Sequence, residues 1–374
     1  MTDPENQPFD YGDFDRLQRG QRSRKLSIWG WVLGMTLSLA VVTAVVLPAP
    51  YVIERPGTAY NVLGNVDGQP TIEVSGTKTY PTDGALELMT IEIYGSPRAT
   101  PTWMELLFAW LDPAQLVIPL EAEFPKGTDT QQQNEDAQLM FVGSEVDSEA
   151  AALKALGYQL TPILQIQAIK NGAPADKKLQ TADEPVSVNG VKIEQVDQFV
   201  EAVKNSGGKP LTIVVNRKGV ATTVEVTPVK TDGVYRIGIV VGTGFDFPID
   251  TKVNIGDVGG PSGGLILALG IYDKLTEGSL TAGNIIAGTG TVNPDGEVGP
   301  IGGVISKLYL AKSTGAKYFL IPADNCADAI GHVPAGLNLL KVTSLSDGIR
   351  AVKAVAAGNA ESWPGCSTNA ASNH

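Results

Sequence analysis

A chain of 374 residues that is 43% hydrophobic and 18% charged has enough apolar content to pack, and enough length for two or three folded units. Its formal net charge of -12, with no Lys/Arg cluster on a recognisable module, makes nucleic acid an unsuitable partner. Two Cys (Cys326, Cys366) and two His (His332, His374) would all be consumed by one four-ligand zinc site, so neither a metal nor another cofactor is expected. The two thiols can bond in an oxidising compartment, but sequence alone leaves that pairing open.

Residues 1–27 begin with an acidic, polar stretch carrying Asp3, Glu5, Asp10, Asp13 and Asp15, which reads as a short cytoplasmic tail. The uncharged run from Ile28 to Leu47 covers a hydrocarbon core of about 30 Å at about 1.5 Å per residue, giving a transmembrane anchor over 28–48. It is too long for the apolar region of a cleaved signal peptide, and no A-x-A site follows it. Arg16, Arg19, Arg22, Arg24 and Lys25 precede it and only Arg55 follows closely, so the N-terminus is expected in the cytoplasm and everything beyond Pro48 outside. Trp29 and Trp31 suit the membrane interface.

Residues 49–138 read as a β-rich extracytoplasmic segment, with the alternating runs Thr71 to Val74 and Leu86 to Tyr94 between Gly and Pro punctuation. The run WMELLFAWL after Thr102 is far too short to span a bilayer and reads as either a buried or a surface-docking helix. The polar stretch from Thr128 to Ala137 is either a loop or the start of a helix running to Leu156.

Between Leu160 and Val229 the order is strand, turn, strand, helix (Gln195 to Asn205), strand, strand. That order, with GAPADKKLQTADEPVSVNG from Gly172 to Gly190 and KPLTIVVNRKG after it, resembles a PDZ domain of the kind attached to bacterial extracytoplasmic proteases. The resemblance implies a PDZ-like domain over 139–231 that takes an extended peptide at a sheet edge, with its carboxylate-binding loop around Gly157 to Pro162. Ala182-Asp183 stands where such domains usually have Gly-Asp. A purely structural spacer is the other reading.

Gly256-Asp257-Val258-Gly259-Gly260-Pro261-Ser262-Gly263-Gly264 leads into the apolar run LILALGIYDKL, so a Gly-rich turn presents Ser262 at a helix N-terminus. Unpaired N–H groups of a first turn suit a nucleophile because they can stabilise an oxyanion, although a plain N-cap is the other reading for a serine there. Further along, Gly299-Pro300-Ile301-Gly302-Gly303 opens a second helix in which Val304, Leu308 and Ala311 form an apolar stripe beside Lys307. Burial would lower the lysine pKa and make it a general base; a solvated surface lysine is the alternative. With His so scarce, a Ser-Lys pair is more economical than a Ser-His-Asp triad. Tyr272, Asp273 and Lys274 read as a solvated helix end, and GTGTVNPDG lacks nucleotide-loop spacing.

GDVGGPSGGLILALGIYDKL, the block IIAGTGTVNPDGEVGPIGGVISKLYLAKSTGAKYFLIP and PADNC together resemble the proteolytic domain of Lon-type peptidases. The resemblance implies an α+β domain over 232–358, followed by a flexible tail over 359–374. It places Ser262 on the family nucleophile, Lys307 on the dyad lysine, and Thr289, with Gly263, in supporting positions. With the PDZ-like unit and single anchor, the chain is similar to PDZ-containing, membrane-anchored Lon-like serine peptidases of bacteria. Polypeptide substrates and a ring-like homo-oligomer are then expected. ATP-driven Lon enzymes carry a Walker sequence, which is missing here, so nucleotide is not an expected partner and cleavage should be ATP-independent. Those enzymes often place an acidic residue three before the serine, where this chain has Gly259. The rival expectation is a PDZ-based peptide-binding protein or oligomeric scaffold with an inactive Lon-like domain.

Overall fold

The computed structural model describes residues 12–125, 130–231, 233–256 and 258–366. Asp3, Glu5, Asp10, Asp257 and His374 lie outside them. Helix α1 (Gly12–Val46) contains Ile28–Val46, which is, among the described residues, the one segment long and apolar enough to cross a membrane. None of that segment is buried against the rest of the protein. The helix starts ahead of the expected anchor because Arg, Gln, Leu and Lys are good helix formers.

Strand β1 (Tyr51–Asn61), β2 (Ile72–Ser75) and β3 (Ala85–Tyr94) precede helix α2 (Trp103–Leu111), strand β4 (Leu116–Pro119) and the long helix α3 (Thr130–Ala155). A second group follows: β5 (Pro162–Ile169), β6 (Glu184–Val188), α4 (Val196–Lys204), β7 (Leu211–Arg217), β8 (Val220–Val226) and β9 (Ile239–Phe245). The chain then supplies β10 (Asp250–Val253), α5 (Gly264–Lys274), β11 (Ile285–Gly288), α6 (Val304–Ser313), β12 (Tyr318–Pro322), β13 (Asn338–Val342) and α7 (Leu345–Ala356).

The main sheet has six strands in the order β13-β12-β11-β3-β1-β4. Its β11, β12 and β13 are parallel and nearly all apolar, as strands covered on both faces must be. β3 joins them in parallel, with Ile286 opposite Leu86 and Gly288 opposite Leu88, while β1 and β4 continue antiparallel. Alternate residues point to opposite faces. Leu86, Leu88, Ile286, Leu320 and Leu340 meet α5, α7 and α3, whereas Met89, Ala287, Phe319 and Ile321 meet α6.

This sheet corrects the expected division of the chain. Residues 49–138 are no separate β-rich unit, since β1, β3 and β4 complete the sheet whose other strands come from 232–358. Neither half could bury its apolar faces or satisfy its edge hydrogen bonds alone. Helix α3, expected partly within the PDZ-like region, instead covers α5: the buried Ser148 hydroxyl lies 3.0 Å from the Gly264 carbonyl, which it can donate to. The intervening unit is an insertion. It leaves after α3 and returns at β10, which pairs with β2 from the earlier segment.

Within the insertion, β8, β7 and β6 form one sheet and β9 pairs antiparallel with β5 around a core that includes Phe199, Ile213 and Val215. Arg217 donates to both carboxylate oxygens of the buried Asp183 at 2.7 Å. Ala182 before it holds a left-handed φ of 70°, which accounts for the glycine usual at that place in PDZ domains. At the other end of the chain, residues 359–366 of the expected tail are packed on the fold, and 367–374 lie outside the described residues. Residues 360–362 form a 3-10 turn, Trp363 Nε1 donates to the Lys341 carbonyl at 3.0 Å, and Cys366 is disulfide-bonded to Cys326. A closed loop of that length (sequence separation 40) stabilises the fold by about 3–4 kcal/mol on the chain-entropy account.

Candidate active site

Three segments converge beyond the end of β11, where Thr289 follows the strand and the nucleophile loop enters α5. The glycines around Ser262 are there for close packing: a Cβ on Gly263 would come 2.5 Å from Leu88 Cδ1 of β3. Gly263 is also the N-cap of α5, so Ser262 lies just outside the helix and the plain N-cap reading does not hold. The Ser262 carbonyl accepts from Gly290 N at 2.8 Å and from Thr289 Oγ1 at 2.9 Å, which fixes the loop against the strand end. Its hydroxyl remains half-buried and points to the lysine.

Lys307 sits in the first turn of α6. Gly303 starts that helix with φ 71°, and a Cβ there would also meet Ile91 Cγ2 at 2.7 Å and Glu54 Oε1 at 3.1 Å, so two independent constraints demand glycine. The apolar stripe of α6 packs on the sheet and carries Lys307 in with it, leaving it 2% exposed. The solvated reading of this lysine is thereby corrected. Its Nζ donates to Ser262 Oγ at 2.9 Å and to the buried Thr289 Oγ1 at 3.3 Å. Burial pushes its pKa down to about 8, against the opposing pull of the Glu54 carboxylate.

Glu54 and Ser306 were not singled out by sequence. Glu54 lies on β1, 5% exposed, and burial raises its pKa while the Ser306 hydroxyl and the Lys307 charge act to lower it. Ser306 Oγ lies 3.0 Å from both Glu54 Oε1 and the Ala114 carbonyl, but it has one hydrogen to give. A sheet whose strands are more than two hundred residues apart in sequence thus places an acid beside the lysine.

The chain brings Ser262, Lys307, Thr289 and Gly263 into one site. Gly259, three before the serine, has α3 against it: a Cβ there would lie 2.8 Å from Ala137 Cβ, and Gly260 N donates to the Ala137 carbonyl at 2.7 Å. An acidic side chain has no room at that position. A cleft of about 510 Å³ opens beside Pro261, lined by Met140, Ser144 and Asp147 of α3 and by Thr291 and Asn293. Asp273, expected in solvent, is fully buried and its carboxylate accepts from Leu280 N at 2.6 Å.

The inserted unit has a cavity away from the Gly157 to Pro162 stretch. This cavity of about 690 Å³ opens between α4, through Phe199, Val200 and Val203, and the stretch Val234 to Val241 that enters β9. The Gly157 to Pro162 stretch cannot line it, because Pro162 pairs with Phe245 at the opposite end of the β5–β9 pair from Ile239.

Residues 252–354 match the Lon protease (S16) C-terminal proteolytic domain. Lon protease 2 of Bacillus subtilis is 33% identical over 90 residues, which are 24% of this chain and 16% of that protein. The regulator of sigma-E protease RseP of Salmonella typhimurium is 32% identical over 109 residues, 28% of this chain and 24% of that protein. The chain therefore covers less than a quarter of the length of either relative. Among solved structures, the PDZ domain of an SdrC-like protein from Listeria innocua is similar to 21% of this chain and covers 92% of that chain, at 16% identity and a TM-score of 0.20.

Proposed function

We propose that this protein is a membrane-anchored, ATP-independent serine endopeptidase that cleaves unfolded or extended polypeptides outside the cytoplasm. The observation that carries the reading is the buried Lys307 amine, 2.9 Å from the Ser262 hydroxyl. Neutral Lys307 keeps an N–H for Thr289 and offers its lone pair to the Ser262 hydroxyl; as Ser262 Oγ attacks the scissile carbonyl, its proton passes to Nζ. N–H groups at the start of α5 stabilise the oxyanion. The resulting ammonium then protonates the departing amine, and a water activated by the same lysine hydrolyses the acyl-enzyme.

The Lon-type match and the disulfide, which suits an oxidising compartment, support this reading, as does the basic flank, which favours an N-terminus inside. The α4–β9 groove would receive substrate chain ends, and the catalytic units would assemble as a homo-oligomer.

A serine-directed acylating probe is expected to modify Ser262, located by peptide mass spectrometry. Because the base must be neutral, the labelling rate should fall about tenfold per pH unit below about 8 and level off above it. Labelling at a different residue, or a rate equal at pH 6 and pH 9, would sink the assignment.

A further inference from the structure

Helix α2 has two apolar sides and only one of them is covered. Leu106 and Ala109 pack against Ala49 and Ile53. On the other side Trp103, Met104, Leu107, Phe108, Trp110 and Leu111 are 40–74% exposed, an unusual concentration of large apolar groups in solvent. Glu105, the one charged residue of the helix, is held back in a capping box with Thr102 and by the Tyr94 hydroxyl at 2.7 Å. Charge is thus kept off the exposed face.

The start of α2 is stitched to the end of the apolar span. Trp103 N donates to the Leu47 carbonyl at 3.3 Å, Pro48 pairs with Thr102, and Ala49 N donates to the Pro101 carbonyl at 2.8 Å. Where α1 ends at Val46, a bilayer spanned by it would end too, so the exposed side of α2 is continuous with that membrane surface. Nine residues cannot span, but an apolar helix face with two tryptophans suits the headgroup boundary.

We propose that α2 lies in the interfacial region of the bilayer as a second membrane contact, fixing the orientation of the folded part on the membrane. This rests on the reading of α1 as an anchor. The contact also reaches the site: just after α2, the Ala114 carbonyl lies 3.0 Å from the Ser306 hydroxyl, next in sequence to Lys307. Docking at the bilayer would hold that turn, and with it the first turn of α6, in place. The substrates best presented would be extended chains close to the membrane surface.

The test uses the full chain in phosphatidylcholine vesicles, isolated by flotation, with a nitroxide on Phe108→Cys and, as a control on the inserted unit, on the exposed Val220→Cys. The native cysteines are paired and leave the new thiol to be labelled. Power saturation should give an oxygen-to-nickel-chelate accessibility ratio above one at position 108 and below one at position 220. A ratio below one at both positions overturns the proposal. So does low access to both relaxants with dipolar broadening at position 108, which would mean that a second copy covers the helix. A chain that fails to float removes the anchor and this proposal together, while probe labelling of Ser262 reports separately on the peptidase reading.

Discussion

Replacing Lys307 by methionine is expected to lower cleavage of an unfolded chain by about 10²–10⁴-fold, the usual contribution of a positioned general base, without lowering the melting temperature at pH 7. Activity and stability separate here because the lysine is held against its own solvation. Its folded pKa of about 8 lies below the ordinary 10.5, so the unfolded chain binds the proton more tightly than the folded one. Stability therefore rises with pH from about 8 to about 10.5, and below that window Lys307 opposes folding by on the order of 3 kcal/mol. Methionine has similar bulk and no charge to desolvate. Loss of activity together with a sharp drop in melting temperature would instead make Lys307 a structural residue, and retained activity would remove it as the base.

Glu54→Gln is the second large effect, read in the pH profile. The Glu54 carboxylate favours the charged form of Lys307 across a buried site, and Ser306 and Glu123 are the other groups that act on it. Glutamine keeps the shape and an acceptor for Ser306 but carries no charge. The acid limb of kcat/KM should move to lower pH, each unit of displacement being worth about tenfold in rate at a fixed pH on that limb. Glu54 is a positioning residue in this view: the plateau at high pH should survive in Glu54→Gln and be lost in Glu54→Leu, whose branched apolar end does not fit the place of the carboxylate between Ser306 and Gly303. An acid limb left in place by Glu54→Gln would show that Glu54 has no electrostatic hold on the lysine.

The residues legible in the sequence were those whose constraint is local. Ser262 and Lys307 follow Gly-rich turns that open helices, while Thr289 was reached through the resemblance alone, and the glycines advertise close packing: Gly263 lies under Leu88, and Gly303 has both a left-handed φ and Glu54 above it. Glu54 had no such signal. VIERPG reads as an ordinary strand, and only the pairing of β3 with β11, set by contacts across the whole insertion, turns that strand toward Lys307. Domain boundaries failed for the same reason. Composition marks the PDZ-like unit well, but nothing local says that the strands before it belong to the same sheet as those after it. The exposed side of α2 was ambiguous because an apolar nonamer looks alike whether protein or lipid covers it.

The most direct test is digestion of a permanently unfolded protein, without nucleotide, by the full chain in vesicles, comparing wild type with Ser262→Ala. Cleavage by the wild type and none by Ser262→Ala is the expected result. Equal cleavage by both, or none by either while Ser262 also resists the acylating probe, would contradict a Ser262 peptidase and leave a peptide-binding protein in its place.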